Sequence, residues 1–567
     1  MKKFYHYAPI MGMCLLVALA CILRILLIWS HWPTTNSDES FVDLMALHVM
    51  KKGEWPIFFY GQGYMGTLQA YLGALLFHIF GVSAFTVRLG LVLFFALFLI
   101  VTYYLTSLLF SKKFALLIVA LMGLGSSPVI TTELFANGGY AETKLFAVLI
   151  YLLAGWLALT SRTDAAQLAN VWRRRIAWAT LGLVAGLAIW SDLLIMPCLL
   201  TAGILLWLFC RHELRSWSGI GLLGCFLVAI IPIVIYNLSA RPGYDSLHAL
   251  AGSMHYPAVP NSAPFLQQIL QALLISLPMA TGASPICAVP NPMHRVNSIA
   301  AFFAPAPYPQ QCIAIQGGWA AAAILLWSFA VITSALPLYW TWKRLHAPLA
   351  DWSPQERQRA IRLAAQLLLL MSAAITFVLY AISSPAAVDP HSTSRYLACL
   401  LLALPAVLWP LWHGFGRLNT SERWKSSGTI LLIVRYGLLL AVVLVFVWGT
   451  IRIGAEVPAA QAAYARQERL TQDLLHMDAT RIYSDYWTCA RLIFQSQEQI
   501  MCASLDAQLN ADNDRYLPYR AAVRSASHPA YVFSSGSSQA NAFAQRMLST
   551  GKHYQWHTFE GYVVYTL

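Results

Sequence analysis

Residues 8–43 read APIMGMCLLVALACILRILLIWSHWPTTNSDESFVD, and this stretch decides the class of fold. Residues 8–30 are an apolar run that is long enough to cross about 30 Å of hydrocarbon as a helix. Three carboxylates, Asp38, Glu39 and Asp43, then follow within six residues. Acidic side chains are scarce in this protein, because only 24 of its 567 residues are Asp or Glu. The sequence therefore joins a membrane span to a local concentration of acid.

The composition places the chain in a membrane. Hydrophobic residues make up 58% of the sequence and charged residues 11%, against roughly 25% charged in a soluble domain. No small-residue cleavage site follows the basic start MKKFYHY, so we expect the first span to be retained and not removed as a signal peptide. The net charge of +13 is typical of basic cytoplasmic loops, and we expect no nucleic-acid partner.

Long apolar runs predict a polytopic α-helical membrane protein with about eleven transmembrane helices. After the first, the predicted spans are 87–110, 114–128, 144–161, 176–191, 193–210, 217–236, 317–340, 363–383, 396–413 and 429–451. A further apolar run, residues 63–81, is short and rich in Gly. It either crosses the membrane or lies at the interface as an amphipathic helix.

The positions of Lys and Arg decide between these options, because cytoplasmic loops are enriched in both and each span reverses the side. If 63–81 does not cross, 18 of the 37 Lys and Arg fall in cytoplasmic segments, namely residues 2–3, 111–113, 162–175, 211–215, 342–362 and 417–428. If it does cross, the basic run 173–175 lies outside. We therefore expect interfacial helices in the first outer loop, a cytoplasmic N-terminus and an extracytoplasmic C-terminal tail.

This topology predicts two domains. Residues 1–454 form the transmembrane domain, with a first outer loop at 31–86 and a large outer loop at 237–316. Residues 455–567 form an extracytoplasmic linker helix and a small α/β domain. In the latter, RIYSDYW, QIMCASL, PAYVFSS and GYVVYTL have strand character, whereas TCARLIFQSQ and SQANAFAQRMLSTG have helix character.

Four cysteines fall outside the membrane in this topology. Cys287 and Cys312 lie in the large outer loop, and Cys489 and Cys502 lie in the tail. Pairs of cysteines suit an oxidising compartment, so 287–312 and 489–502 are candidate disulfides.

The sequence contains no P-loop, HExxH, GxSxG or zinc-binding CxxC pair. Polar residues at the outer ends of the spans are then the candidates for function. Asp38 and Glu39 lie close to the outer membrane surface, where a partly desolvated carboxylate can act as a general base toward a hydroxyl or amine. The alternative is a solvated loop, and Asp43 is assigned to that alternative.

Two further outer loops carry polar candidates. In TTELFANGGYAETKLF, the paired glycines permit a tight turn that directs Tyr140 and Glu142 into a cavity, or they form a simple turn. In SPAAVDPHSTSRYLACLLLALP, Arg395 can bind a phosphate with two parallel hydrogen bonds, or it can extend to lipid headgroups. Asp192 lies at the outer turn between two spans.

Four segments together resemble the GT-C superfamily of membrane glycosyltransferases. They resemble specifically the bacterial relatives of protein O-mannosyltransferases and of the lipid A aminoarabinose transferase, which are glycosyltransferase family 39-like. NSDES is similar to the acidic pair of that family, and the run 60–89 is similar to its interfacial helix and second span. SRYLACLLLALP is similar to its segment at the start of a late span, an RYL motif followed by Pro, and NGGYAETKL resembles the second-loop pattern of a less characterised branch. The likeness covers about 450 residues, through the membrane region.

The resemblance implies a GT-C-like fold in the cytoplasmic (inner) membrane of a bacterium. It implies transfer of a sugar from a polyprenyl-phosphate donor, with inversion, to a hydroxyl or amine of an acceptor lipid, glycan or protein. Asp38 would be the general base and Glu39 its helper, while Arg395 and His391 would bind the donor phosphate. The sugar- or acceptor-binding residues would be Glu142, Tyr140, Glu133, Asp192 and Tyr64. The acidic motif after the first span is a single pair and not a DxD, which does not support a required divalent metal, and no other cofactor is expected.

Two other functions remain open from the sequence. A transporter or flippase of a lipid-linked sugar would have discontinuous helices and polar groups near the membrane midplane. A non-catalytic envelope assembly protein would tolerate any replacement of Asp38.

Overall fold

The computed structural model describes residues 2–161, 171–241, 243, 245–254, 265–283, 310–345, 352–414, 425–550 and 554–566. Cys287 of the first candidate disulfide lies outside these residues.

Helices dominate the described residues. The first eleven are α1 Lys2–Trp29, α2 Ser37–Lys52, α3 Leu68–Phe80, α4 Ala84–Leu109, α5 Lys112–Gly123, α6 Ser127–Leu134, α7 Tyr140–Thr160, α8 Val171–Ser191, α9 Met196–Leu214, α10 Trp217–Ser239 and α11 Ser246–Met254. They are followed by α12 Phe265–Gln271, α13 Leu277–Thr281, α14 Gln310–Leu345, α15 Pro354–Ala381, α16 Ser384–Val388, α17 Leu404–His413, α18 Lys425–Ile453, α19 Val457–His476, α20 Tyr486–Gln495, α21 Leu517–Arg524 and α22 Ser538–Thr550. Short 3₁₀ segments lie at Leu193–Ile195 and Ser392–Ala403, and a π-helical turn lies at Ala272–Ser276.

The chain is a multi-pass α-helical membrane protein, as predicted. The described residues contain 9 helices long and apolar enough to cross a membrane, or 10 if one bent pair counts as a span. That pair is α5 and α6, which meet at 88° where 114–128 was expected to be one span. Gly125 lies in the bend and donates its N–H to Thr450 Oγ1 at 3.0 Å. The predicted span 176–191 lies within α8. The first turns of α8 contain Arg173, Arg174 and Arg175, and these charges lower the mean hydropathy of the helix.

The run 63–81 contains α3, which has 13 residues. At 1.5 Å per residue this helix is about 20 Å long, and it is therefore too short to cross about 30 Å of hydrocarbon. The prediction that 63–81 does not cross agrees with this length. Its position at the membrane interface stays a prediction.

The predicted C-terminal α/β domain is confirmed. Its sheet has the order β2-β1-β3-β5-β4, with parallel pairing of the first three strands and antiparallel pairing of the rest. The strands are β1 Arg481–Ser484, β2 Met501–Ser504, β3 Ala530–Ser534, β4 Gln555–Phe559 and β5 Tyr562–Thr566. The predicted linker helix is α19, and Cys489 of α20 forms the predicted disulfide with Cys502 of β2.

The chain forms two compact units. One consists of Met1–Leu23, Leu93–Glu133 and Tyr140–Gly454, and the other of Arg24–Val92, Leu134–Gly139 and Ala455–Leu567. The second unit contains the first outer loop and the C-terminal domain, so we call it the loop-and-tail unit. The first contains most of the long apolar helices, and we call it the helical unit. The two-domain division at residue 454 stays a prediction.

Candidate functional site

Asp38 and Glu39 lie in the first turn of α2, and local sequence explains why the helix begins there. The Asn36 side chain caps the helix by accepting a hydrogen bond from the Glu39 N–H at 3.1 Å. Two carboxylates in the first turn and two lysines in the last complement the helix dipole. Gly53 ends the helix with φ 65°, a left-handed conformation that glycine adopts without strain. The first turn of α2 therefore has a fixed direction.

Glu39 forms a buried ion pair with Arg88 of α4. Arg88 Nε donates to Glu39 Oε1 at 2.7 Å, and Arg88 Nη2 donates to Oε2 at 2.6 Å. The Glu39 side chain is 0% exposed. Both carboxylate oxygens are thus occupied by protein, and this geometry favours a positioning role over direct contact with sugar. Arg88 was not predicted as a site residue, although a charge inside an apolar run is a signal of function or pairing.

Asp38 is held by two residues of the C-terminal domain. Arg515 Nη2 donates to Asp38 Oδ1 at 2.9 Å, and the Tyr486 hydroxyl donates to the same oxygen at 2.5 Å. Burial raises the pKa of Tyr486, which keeps its proton available for donation. The Asp38 side chain is 16% exposed, and among the described residues its Oδ2 accepts no hydrogen bond. One oxygen is anchored and the other is open to a ligand.

Asp43 was expected in solvent, and this expectation is wrong. The residue lies on the inner side of α2 and is 1% exposed. Burial, reinforced by the negative charge of Glu39, raises the pKa of Asp43 well above its ordinary value of 3.8. Burial of Asp43 therefore favours the protonated form of its carboxyl group.

A cavity of about 140 Å³ lies elsewhere in the loop-and-tail unit. His31 stacks on Tyr464 at this cavity, with ring centroids 3.7 Å apart, and Arg88 also lines it. Tyr64, predicted to bind sugar or acceptor, is half-buried in the turn before α3. Its role stays a prediction.

In the helical unit, Arg395 lies among aromatic rings at the start of the 3₁₀ segment. Its guanidinium carbon is 5.7 Å from the ring centroid of Tyr140 and 5.8 Å from that of Tyr396. Asp192 interacts electrostatically with Arg395 and caps the short helix that follows it, through a 2.9 Å bond from the Leu194 N–H. The structure therefore brings three predicted residues together, namely Tyr140, Asp192 and Arg395.

His391 is partly buried just before this 3₁₀ segment. Burial lowers the pKa of His391 below its ordinary value of 6.5, and the charge of Asp389 opposes that change. The imidazole is then neutral at pH 7, so it can donate a hydrogen bond to a phosphate but supplies no positive charge. Arg395 is left as the cationic member of the predicted phosphate-binding pair.

The acidic candidates of the second outer loop are buried. Glu133 lies 3.7 Å from Lys144 Nζ, and both side chains are 4% exposed. Glu142, in the first turn of α7, is 0% exposed. Their predicted contacts with sugar or acceptor remain untested by this arrangement.

Comparison with known proteins shows the fold. No family model matches the chain, and no curated protein matches it. An ArnT structure from Cupriavidus metallidurans, bound to undecaprenyl phosphate, matches with a TM-score of 0.53 and 12% sequence identity. The match covers 98% of this chain and 97% of that one. The apo form of the same ArnT gives a TM-score of 0.51, 13% identity and the same coverage of both chains. An oligosaccharyltransferase from Archaeoglobus fulgidus gives 0.47, with 14% identity, over 100% of this chain and 74% of that one.

The two ArnT structures give the chain the GT-C-like fold that the sequence predicted. The likeness extends beyond the membrane helices, because it includes nearly the whole length of both chains.

Proposed function

We propose that this protein is a glycosyltransferase that transfers a monosaccharide from a polyprenyl-phosphate carrier to a hydroxyl or amine on the outer face of a bacterial cytoplasmic membrane. The fold shared with ArnT supports the reaction class, and that ArnT binds undecaprenyl phosphate. The observation that carries the proposal is the arrangement of Asp38 at the start of α2. Its Oδ1 accepts hydrogen bonds from Arg515 and Tyr486, while among the described residues its Oδ2 accepts none.

In the proposed reaction, Asp38 Oδ2 takes the proton of the acceptor hydroxyl or amine. The acceptor oxygen or nitrogen then forms a bond to the anomeric carbon as the bond to the carrier phosphate breaks. This displacement inverts the anomeric centre. The leaving phosphate needs stabilisation of its charge more than it needs a proton, and this is the proposed role of Arg395. No divalent metal is required by the proposal.

The test is sugar transfer by the purified protein with Asp38→Asn. Loss of a general base lowers a rate about 10² to 10⁴-fold, and the amide cannot accept the proton, so we expect this loss in kcat. Exposed Asp512→Asn, in the same unit, is the matched control and should retain wild-type transfer. Full activity of Asp38→Asn would remove the general-base assignment, and absence of transfer by the wild-type protein would favour an assembly protein.

A flippase of lipid-linked sugar is the second candidate, because the 88° bend between α5 and α6 is a discontinuous helix. A flippase moves its cargo without breaking the glycosidic bond. Detergent-solubilised protein has no second leaflet, so product formed in detergent excludes transport as the sole activity. Absence of product there, with donor movement across vesicles, would favour the flippase.

A further inference from the structure

The loop that carries Arg515 is held in place on both sides. On one side, Asp514 accepts a hydrogen bond from the Ser504 N–H at 2.9 Å and pairs with Arg520. On the other side, Tyr516 donates to Glu54 at 2.8 Å, and its ring lies 4.7 Å from that of buried His48. The backbone at Arg515 is therefore held in place by contacts of both neighbouring residues.

The Arg515 guanidinium is buried and surrounded by directed contacts. Its Nε donates to the Tyr486 hydroxyl at 2.5 Å and its Nη1 to the Tyr60 carbonyl at 3.3 Å. Its guanidinium carbon lies 4.7 Å from the Phe59 ring centroid. Its side chain is 7% exposed. An arginine fixed in this way has little rotational freedom left to lose when it binds a carboxylate.

Tyr486 is fixed independently of Arg515. It is the first residue of α20, which Asp485 caps through the Thr488 N–H at 3.1 Å. One turn later, Cys489 ties α20 to β2 by the disulfide. The Tyr486 carbonyl also accepts a hydrogen bond from Ser37 Oγ, next to Asp38, at 2.6 Å. Thus α20 contacts the first turn of α2 at two consecutive residues.

We propose that the C-terminal domain is part of the active site, with Arg515 and Tyr486 as positioning residues that hold Asp38 Oδ1 and direct Oδ2 toward the acceptor. This inference rests on the proposed function. The sequence alone does not suggest this role of Arg515, because Arg515 and Asp38 are 477 positions apart. It gives the C-terminal domain a role in the chemical step, in addition to any docking of acceptor.

The test compares Arg515→Met, Arg515→Lys and Tyr486→Phe by the pH profile of kcat and by the KM for donor. Loss of orientation costs a rate up to about 10²-fold, so we expect kcat to fall about 10 to 100-fold with little change in donor KM. The other titratable groups near Asp38 are Glu39, paired with Arg88, and Asp43, whose pKa is raised by burial. Removing the positive charge beside Asp38 should move the acid limb of the profile to higher pH. Arg515→Lys keeps the positive charge, so we expect the acid limb of its pH profile to lie at the wild-type pH. Its kcat should stay reduced.

Arg469→Met is the matched control, since Arg469 pairs with Glu560 at 2.7 Å on the surface of the same unit and is 54% exposed. It should keep wild-type kcat and pH profile. A merely structural role for Arg515 would lower the yield of folded protein without moving the acid limb. If Arg515→Met does not fold, Tyr486→Phe carries the test, because it removes one hydroxyl and keeps the ring packing.

The outcomes separate the two proposals. Inactive Asp38→Asn, together with wild-type kcat and acid limb in Arg515→Met or Tyr486→Phe, overturns the positioning role and leaves the transferase intact. Active Asp38→Asn removes the general-base assignment, whereas absence of transfer by the wild-type protein overturns the transferase assignment itself. Reduced kcat, a shifted acid limb in Arg515→Met and its restoration in Arg515→Lys support the inference.

Discussion

At the scale of single residues, the first two turns of α2 contain three carboxyl groups in three environments. Asp38 is ion-paired and partly exposed, Glu39 is ion-paired and buried, and Asp43 is buried with a raised pKa. Of the three, only Asp38 combines an ion pair with an accessible oxygen, and this difference supports its proposed role as the general base.

The raised pKa of Asp43 predicts a pH dependence of stability. Its pKa is higher in the folded protein than in the unfolded chain, so its contribution is fully present below about pH 4 and is lost as pH rises through the folded pKa. In that window each pH unit lowers the free energy of unfolding by up to about 1.4 kcal/mol. We expect Asp43→Asn, which is neutral throughout, to lose less stability with rising pH than the wild type.

The measurement is the apparent melting temperature of the detergent-solubilised protein between pH 4 and pH 9. Asp512→Asn, which changes an exposed carboxylate, should follow the wild-type curve. Parallel curves for Asp43→Asn and wild type would show that Asp43 is charged in the folded protein.

At the scale of secondary-structure elements, the Glu39–Arg88 pair joins α2 to α4. Removing one partner of a buried ion pair leaves an uncompensated charge and costs about 3 to 5 kcal/mol. Replacing both partners with apolar residues is often close to neutral. We therefore expect Glu39→Met with Arg88→Met to be more stable than either single variant, as measured by thermal unfolding in detergent.

Transfer activity in that double variant separates the roles of Glu39. If Glu39 only positions α2, the double variant should recover much of the activity that the single variants lose. A stable double variant without activity would instead support direct contact of Glu39 with substrate, as the sequence resemblance implied.

The elements also show where sequence patterns succeed and fail. Strand β3 and the linker helix were predicted because each has a clear apolar face. The edge strand β4 was missed because its residues are mostly exposed and show no alternation. The bend near Gly125 was also missed, because it lies within a continuous apolar run that the sequence pattern assigns to one span. Asp38 could be predicted from local sequence, whereas Arg515 and Tyr486 reach it only through the tertiary fold.

At the scale of the whole molecule, the charge distribution predicts an orientation that the fold alone does not define. Basic loops lie in the cytoplasm, which assigns 417–428 to the inside and the C-terminal domain to the outside. The disulfide between Cys489 and Cys502 agrees with an oxidising compartment.

Alkaline phosphatase fusions test this orientation, because that enzyme needs an oxidising compartment to acquire its own disulfides. We expect a fusion to the C-terminus of the full chain to be active. A fusion at 417–428 should be inactive at equal abundance, because it adds the reporter to a loop that is predicted to be cytoplasmic. The reverse pattern would place Asp38 and the C-terminal domain on the cytoplasmic side, where the proposed transfer on the outer face could not occur.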